Sequence, residues 1–261
     1  SEKIPTNNGY KYINQLKIGD TVYAFSEKDG SIEAKITNVS FSGQKLIYTI
    51  KTNNREIRVS GEHPILSINV KLEKHPTRSW HTKGVGILEW KNACELKPND
   101  IIVCASSYNS NGFAIGDDMS RFIGAYLGDG WTRSEPTYGR YSVGLAIGNA
   151  TEKHTDMYYT LLKKLFPTTN WHNNMKGAFG LSCSSKVVYE KIEELELSSK
   201  SKYRHLPNFC YKLPLNEKLS LLAGYVDADG SVSKNGIINF AASNKDLIEE
   251  LHDLATRCGF Y

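Results

Sequence analysis

Two segments of this chain match each other over ten residues without a gap. The first is RFIGAYLGDG at residues 121–130, and the second is LLAGYVDADG at residues 221–230. Both contain apolar residues near the start, small residues four positions apart and a final Asp-Gly. Because residues four apart share one face of a helix, we predict two helices, each with a smooth stripe. Two such stripes would let the helix backbones approach closely.

The acids that close these segments, Asp129 and Asp229, indicate a divalent-cation site. A glycine follows each acid, and glycine is typical of the left-handed residue that ends a helix, which places each carboxylate at a helix C-terminus. That end of the helix dipole is negative, and pairing the helices would put two carboxylates side by side. A hard cation with oxygen ligands, Mg²⁺, would relieve the repulsion. The alternative is two core helices that happen to end in Asp-Gly.

The pair of segments resembles the double motif of the LAGLIDADG homing endonucleases. The second copy is close to the family signature and the first is a common variant of it. The resemblance implies metal-dependent hydrolysis of double-stranded DNA, with Asp129 and Asp229 each facing one scissile phosphate. It also implies that the backbone carbonyls of Gly128 and Ala228 are further metal ligands. Asp227 is expected to be a cap or packing residue, because its counterpart in the first copy is a leucine.

A basic step precedes the second motif. Members of the family often carry a basic residue near a Lys-x-Ile-Pro-like step, and here the sequence is KYRHLP, with Arg204 in the lysine position and Lys202 before it. We name both residues as candidate catalytic groups, with a structural role as the alternative. Arg cannot act as a base at neutral pH, but it can stabilise charge that develops on a phosphate.

The segments after the two motifs repeat one order of elements. Apolar spacing predicts strands at 141–148, 178–183 and 236–242 and helices at 151–166, 186–197 and 245–258. This order matches the αββαββα half-unit that the resemblance implies, in which two sheets form a saddle over the DNA major groove. We therefore assign residues 118–261 to an α+β endonuclease domain with pseudo-two-fold symmetry, and we expect its second repeat to be incomplete.

Residues 1–110 are assigned to a separate all-β domain. Short β-branched or aromatic runs predict strands at 21–25, 47–51 and 56–59, with turn signals between them. Residues 12–22 return in similar form at 91–102, with a Leu-Lys, a turn, an Asp and β-branched residues. A duplicated strand–turn unit indicates pseudo-symmetry. The polar, turn-rich residues 106–117 are predicted to be the linker.

Between the two β repeats lies the segment SGEH at residues 60–63. A histidine between strands is most often structural, but with the flanking repeats this segment resembles the Hint domain of inteins and hedgehog-type autoprocessing domains. In that family a Thr-x-x-His motif polarises the peptide bond at the N-terminal splice junction, and Ser60 and His63 occupy those positions here. We interpret Ser1 as lying inside the first motif, with the N-terminal nucleophile and the C-terminal splice blocks missing from this chain. A nucleophilic Ser1 is the alternative.

A basic stretch with an aromatic residue lies at residues 71–83. It is interpreted either as a solvated hairpin or as an arm that contacts DNA phosphates through Lys71, Lys74, Arg78 and Lys83. In the second domain, we assign Arg133 and Arg140 to DNA binding as well.

Composition sets the remaining limits. The formal net charge of +4 is compatible with nucleic-acid binding, and no apolar run is long enough to span a bilayer. Five cysteines without a C-x-x-C pair argue against a disulfide scaffold or a zinc site and favour a reducing, cytoplasmic compartment. We therefore expect an intracellular monomer, not secreted and without a membrane partner.

Three functions fit these observations. The first is an intein-encoded, site-specific homing endonuclease whose partners are double-stranded DNA and a flanking host protein, with Mg²⁺ as cofactor. The second is a catalytically weak DNA- or RNA-binding protein on the same scaffold, of the maturase or regulator kind. The third is a self-processing domain in which splicing alone matters.

Overall fold

The computed structural model describes residues 2–6, 9–26, 28, 30–52, 56–75, 78–103, 113–146, 152–173 and 180–260. The fold is mixed α/β, with several small sheets and five α-helices in these ranges. The chain divides into two compact units. Ser1–Thr6 and Tyr10–Ala105 form the first, and most of the second is Ser106–Tyr261.

The first unit consists of strands and two short 3-10 turns over its described residues. Its strands are β1 (Lys3–Thr6), β2 (Gly9–Tyr12), β3 (Thr21–Ser26), β4 (Gly30–Lys35), β5 (Ile47–Lys51), β6 (Glu56–Ser60), β7 (Pro64–His75), β8 (Arg78–Asn92) and β9 (Ile101–Ile102). They form sheets in the orders β2-β1-β3-β4, β5-β6 and β8-β7-β9. The strands predicted near 21–25, 47–51 and 56–59 are observed as β3, β5 and β6.

The internal repeat of this unit is a repeat of hydrogen bonds as well as of sequence. The unit contains two 3-10 turns, Ile13–Gln15 and Ala93–Glu95. In each, the side chain of the last residue accepts a hydrogen bond from the backbone N–H of the residue that precedes the turn. Shortly afterwards, Asp20 accepts from the Lys17 N–H at 2.9 Å and Asp100 accepts from the Lys97 N–H at 3.0 Å. The predicted duplication is therefore confirmed as a pair of matching turns.

The second unit carries all five α-helices of the described residues. In order, its elements are α1 (Asp117–Asp129), β10 (Gly130–Glu135), β11 (Arg140–Leu145), α2 (Glu152–Leu165), β12 (His172–Asn173), β13 (Leu181–Ser184), α3 (Lys186–Glu194), α4 (Leu215–Asp229), β14 (Gly230–Val232), β15 (Ile238–Phe240) and α5 (Lys245–Arg257). The order from α1 to α3 is αββαββα, and α4 to α5 restarts it. The predicted helices are observed, whereas β10, β12 and β14 were not predicted.

Strands β10, β11, β13 and β12 form one antiparallel sheet in that order. One face is covered by α3: the Tyr189 hydroxyl donates to Ser134 at 3.3 Å, and the rings of Tyr189 and Tyr141 are 5.2 Å apart. Side chains alternate along a strand, so neighbours of Ser134 and Tyr141 lie on the opposite face. That face carries Arg133 and Arg140, both exposed.

The residues that end α1 and α4 correct one prediction. Gly130 and Gly230 have φ of −73° and −122°, so both are extended and neither is left-handed. Glycine is required there by crowding instead, since a Cβ on Gly230 would lie 2.5 Å from the Val226 Cα, and one on Gly130 would overlap the Tyr126 ring. Each helix therefore runs directly into a strand, which fixes the direction of the hairpin that follows.

Much of the predicted linker, residues 106–112, lies outside the described residues. Among the helices that the structure does describe, none combines the length and apolar character needed to cross a membrane.

Candidate functional site

Helices α1 and α4 pack along their glycines. A Cβ on Gly124 would overlap the carbonyl oxygen of Leu221, and a Cβ on Gly224 would overlap that of Arg121. Near the ends of the helices, a Cβ on Gly128 would lie 2.7 Å from the Ala228 Cβ. The smooth stripes predicted from the sequence are thus the contact surface, and the two helix C-termini lie side by side.

This packing brings Asp129 and Asp229 together. Gly128, the residue just before Asp129, lies against Asp229, because a Cβ added to Gly128 would be 3.4 Å from the Asp229 Cβ. Burial and the neighbouring Asp229 carboxylate raise the pKa of Asp129 to about 6, against the opposing effect of the Arg204 guanidinium. The backbone around the two acids is equivalent, because the Asp129 carbonyl accepts from Ala146 at 2.7 Å and the Asp229 carbonyl accepts from Ala241 at 2.9 Å.

The donors at this place fit Mg²⁺ better than a softer metal. Within the described ranges, no group of three or more His, Cys, Asp or Glu side chains is arranged to hold a metal ion. Mg²⁺ does not need such a group, since it keeps several waters and binds through one or two carboxylates plus substrate phosphates. Two crowded carboxylates beside helix C-terminal carbonyls provide hard oxygen donors and an excess of negative charge.

Arg204 caps the C-terminus of α1. Its side chain is buried, and Nη1 donates to the carbonyls of Tyr126 at 3.2 Å, Leu127 at 3.0 Å and Gly128 at 3.0 Å. Nη2 donates to the Gly130 carbonyl and Nε to the Ser199 carbonyl. Every guanidinium nitrogen therefore has a backbone partner, which leaves the residue poorly placed to reach a phosphate.

Lys202 has a different environment from Arg204. It lies in the 3-10 turn Ser201–Tyr203, its side chain is exposed, and its ammonium lies over the Tyr203 ring, 4.6 Å from the centroid. The two candidate basic residues therefore separate into a buried cap and an exposed cation.

Asp227 joins three helices. Its Oδ2 accepts from Arg121 of α1 at 2.5 Å and from the Tyr158 hydroxyl of α2 at 2.8 Å, and its Oδ1 lies 3.5 Å from His154 Nε2. The packing role predicted for Asp227 agrees with these contacts, but its partners were not predicted. The signal was present in the sequence, because Arg121 and Asp227 each stand where the other copy has a leucine.

Glu217 is a second buried acid that sequence reasoning missed. It lies in the first turn of α4, and its carboxylate accepts from the Ile115 N–H at 2.9 Å and the Gly116 N–H at 3.0 Å, just before α1. The carboxylate therefore satisfies backbone donors at the start of α1, where the helix dipole also favours negative charge.

The solvent face of the β10–β11 hairpin carries the two predicted DNA-binding arginines. Arg133 is paired with Ser142 in the ladder, and Arg140 is paired with Glu135. Both arginine side chains are about three-quarters exposed, at 74% and 75%, and both form ion pairs with Glu135. Glu135 was not predicted, because its pairing with Arg140 depends on the register of the hairpin.

The basic stretch of the first unit lies on the β7–β8 hairpin. Lys71 and Lys74 lie on β7, and Arg78 and Lys83 lie on β8. Lys71 is exposed, while the side chains of the other three lie outside the described part of the structure. The hairpin that was one interpretation of this stretch is observed, and its contact with DNA stays a prediction.

Ser60 and His63 line a cleft in the first unit. They form one turn, in which the His63 N–H donates to the Ser60 carbonyl at 3.0 Å. The cleft has a volume of about 590 Å³, and its walls include Glu2, Lys3 and Ile4. The predicted splicing residues therefore face the N-terminal residues of the described chain, with His63 exposed.

A known family resembles the C-terminal part of the second unit. Residues 216–261 match a family model described as a LAGLIDADG-like domain. The match starts in the first turn of α4 and includes Asp229. It indicates a DNA-binding nuclease of the homing-endonuclease type.

Two curated proteins are similar to much of the chain. One is the iron-sulfur cluster assembly SufBD family protein ML0593 of Mycobacterium leprae (strain TN). It is 28% identical over an alignment of 275 residues that includes 97% of this chain and 30% of that protein. A DNA polymerase of Thermococcus litoralis is 27% identical over 211 residues, which cover 78% of this chain and 12% of the polymerase. The chain thus spans less than a third of the length of either relative.

Proposed function

We propose that the second unit is a site-specific, Mg²⁺-dependent endonuclease that cuts double-stranded DNA. The observation that carries this proposal is the packing of α1 against α4, which places Asp129 beside Asp229 at two adjoining helix ends. The match of residues 216–261 to a LAGLIDADG-like domain supports it independently. That both helices belong to one chain supports a monomeric enzyme.

Each residue of the site would have a separate role in hydrolysis. Asp129 and Asp229 would hold Mg²⁺, with the carbonyls of Gly128 and Ala228 as further ligands, and the ion would relieve phosphate charge and activate water. The Gly128 carbonyl already accepts from Arg204, but a carbonyl oxygen has a second lone pair. Arg204 would hold the end of α1 in place, and Lys202, which is exposed, is the cation that can contact the phosphate.

Cleavage of a plasmid library in Mg²⁺ tests this proposal. Asp129→Asn and Asp229→Asn should each abolish cutting and retain DNA binding, because each change removes a metal ligand and keeps the side-chain volume. Asp156→Asn, an exposed change on α2, is the matched control and should cut like the wild type. Persistent cutting by either site variant would refute the metal assignment. Binding by the wild type without any cutting would favour the maturase- or regulator-like alternative.

We also propose that the first unit is a Hint domain and that the chain derives from an intein. The matched turns of the internal repeat and the cleft that brings Ser60 and His63 to Glu2–Ile4 support this assignment. So do the two relatives, since proteins named for iron-sulfur cluster assembly and for DNA polymerisation share a segment that is a minor part of each. A module inserted into unrelated host proteins explains that combination.

The splicing proposal has its own test. A protein extended at its N-terminus by a Cys and a flanking segment before it should release that flank when a thiol is added. The release should be lost in His63→Ala, because His63 would polarise the scissile carbonyl or protonate the leaving nitrogen. Equal release with and without His63 would contradict the Hint assignment and leave the nuclease proposal untouched.

A reducing, cytoplasmic location is proposed from the cysteines. The four that the structure describes, Cys94, Cys183, Cys210 and Cys258, are all free thiols. Burial raises the pKa of the Cys183 thiol to about 11, which keeps it protonated and unreactive.

A further inference from the structure

Three charged side chains form one chain of ion pairs on the solvent face of the β10–β11 hairpin. Arg133 Nη2 is 2.5 Å from Glu135 Oε1, and Arg140 Nη1 is 3.6 Å from Glu135 Oε2. Glu135 and Arg140 are directly opposite in the ladder, and Arg133 is two residues before Glu135 on β10. All three side chains therefore lie on the same face of the sheet.

The acid is unusual in this position. A surface that only attracts phosphates needs cations, and a carboxylate between two arginines weakens that attraction. An exposed ion pair contributes little to stability, so folding does not explain Glu135 either. Its exposed fraction is only 30%, well below the 74% and 75% of its two partners, so the arginines hold the carboxylate in a defined place.

The geometry leaves each arginine able to bind a further group. Each contacts Glu135 through a terminal nitrogen, and most of each arginine side chain is exposed. The Tyr138 ring lies 5.6 Å from the Arg140 guanidinium. In the major groove, arginine donates in bidentate fashion to guanine O6 and N7, and glutamate accepts from cytosine N4. A two-stranded ribbon is of a size to enter that groove.

We propose that Arg133, Glu135 and Arg140 form a base-reading unit that selects a G·C pair. An arginine would donate to the guanine, while Glu135 would accept from the cytosine and orient the arginines. The inference rests on the proposed function, since it requires this face to meet a duplex. It goes further by assigning sequence choice to a residue that electrostatic attraction to DNA would disfavour.

Selection of bound duplexes from a randomised library, with EDTA present so that they stay intact, tests this inference. The wild type should recover a site with at least one G·C pair that it prefers by about 5- to 150-fold over the other pairs. Glu135→Gln should reduce that preference to less than about threefold and should tighten binding to random duplex, because one repulsive charge is removed. Arg133→Lys should keep the random-duplex affinity and weaken the preference, because lysine lacks the planar fork.

Glu190→Gln is the matched control. Glu190 is an exposed acid paired with Lys186 on α3, which covers the other face of this sheet, so its change should leave both readouts as in the wild type. Tighter random binding by Glu135→Gln with an unchanged G·C preference would overturn the inference, since Glu135 would then be a repulsive screen only. A wild type that recovers no preferred site would overturn the proposed site specificity along with it.

Discussion

At the scale of single residues, three charged groups in the interior of the second unit have near neighbours that match their charge. Arg204 meets helix carbonyls, Asp227 meets Arg121, and Glu217 meets backbone N–H groups. Asp129 instead lies beside another acid, and its pKa is raised to about 6 by burial and by Asp229. A group kept in an unfavourable state is typical of a site that a ligand completes.

The raised pKa of Asp129 gives a stability prediction in metal-free solution. The folded form of this carboxyl holds its proton more tightly than the unfolded form, so the contribution of Asp129 to stability is full below about pH 4 and is lost as the pH rises through 6. The free energy of unfolding of the wild type, measured in urea with EDTA, should therefore fall relative to that of Asp129→Asn between pH 4 and 7.

The difference between the two proteins reports Asp129 together with its interaction with Asp229, since the other titrating residues are common to both. Asp156→Asn, which removes one exposed carboxylate, controls for the change in net charge. If the free energy of unfolding of the wild type minus that of Asp129→Asn rose with pH, or stayed level from pH 4 to 7, Asp129 would not be held in a raised-pKa site.

At the scale of elements, the two helices with their glycine contacts set the geometry of the site. Alanine normally stabilises a helix relative to glycine by about 0.5–1 kcal/mol. At Gly124 or Gly224 the sign should reverse, because the added Cβ would overlap a backbone carbonyl of the other helix, which cannot rotate away. We expect Gly124→Ala and Gly224→Ala each to lower the free energy of unfolding by about 1–3 kcal/mol, read from urea midpoints.

Gly128→Ala is a milder version of the same change, with which the losses of stability at Gly124 and Gly224 can be compared. Its Cβ would meet the Ala228 methyl group at 2.7 Å, and the nearest backbone atom, the Asp229 nitrogen, would be 3.3 Å away, so the loss of stability should be smaller than at Gly124. If all three changes stabilised the protein, α1 and α4 would not be packed as described.

The sequence predicted these helices well because their evidence is local. Small residues four apart and a shared Asp-Gly are visible in ten residues, and the strands and helices that alternate after them follow from apolar spacing. Strand β10 escaped prediction because its residues after Gly130 are exposed or half-exposed, which leaves no apolar alternation to detect. Strand β12 has only two residues, too few for any periodicity.

The contacts that the sequence could not predict join residues far apart in the chain. Arg204 reaches carbonyls 76 to 78 residues earlier, and Glu217 reaches N–H groups about 100 residues earlier. The Glu135–Arg140 pair is short-range but depends on a hairpin register that composition does not set. Sequence reasoning therefore located the two acids, whereas the cap and the network that hold them required coordinates.

At the scale of the whole molecule, two units that differ in architecture lie in one chain. The first is built from strands and matched turns over its described residues, and the second from helices packed on small sheets. The chain covers 30% and 12% of two curated relatives, whose names refer to different activities. The proposed intein, a self-excising segment that carries a nuclease, would explain both the two architectures and the similarity to two differently named proteins.

Diffraction from crystals of the protein with a duplex and Mn²⁺, collected at a wavelength where manganese scatters anomalously, tests the central claim most directly. Asp129 and Asp229 are proposed to hold a divalent ion between the ends of α1 and α4. We expect an anomalous peak within coordination distance of a carboxylate oxygen of each residue, and the loss of this peak in Asp229→Asn. Manganese bound elsewhere, with both carboxylates left without metal, would contradict it.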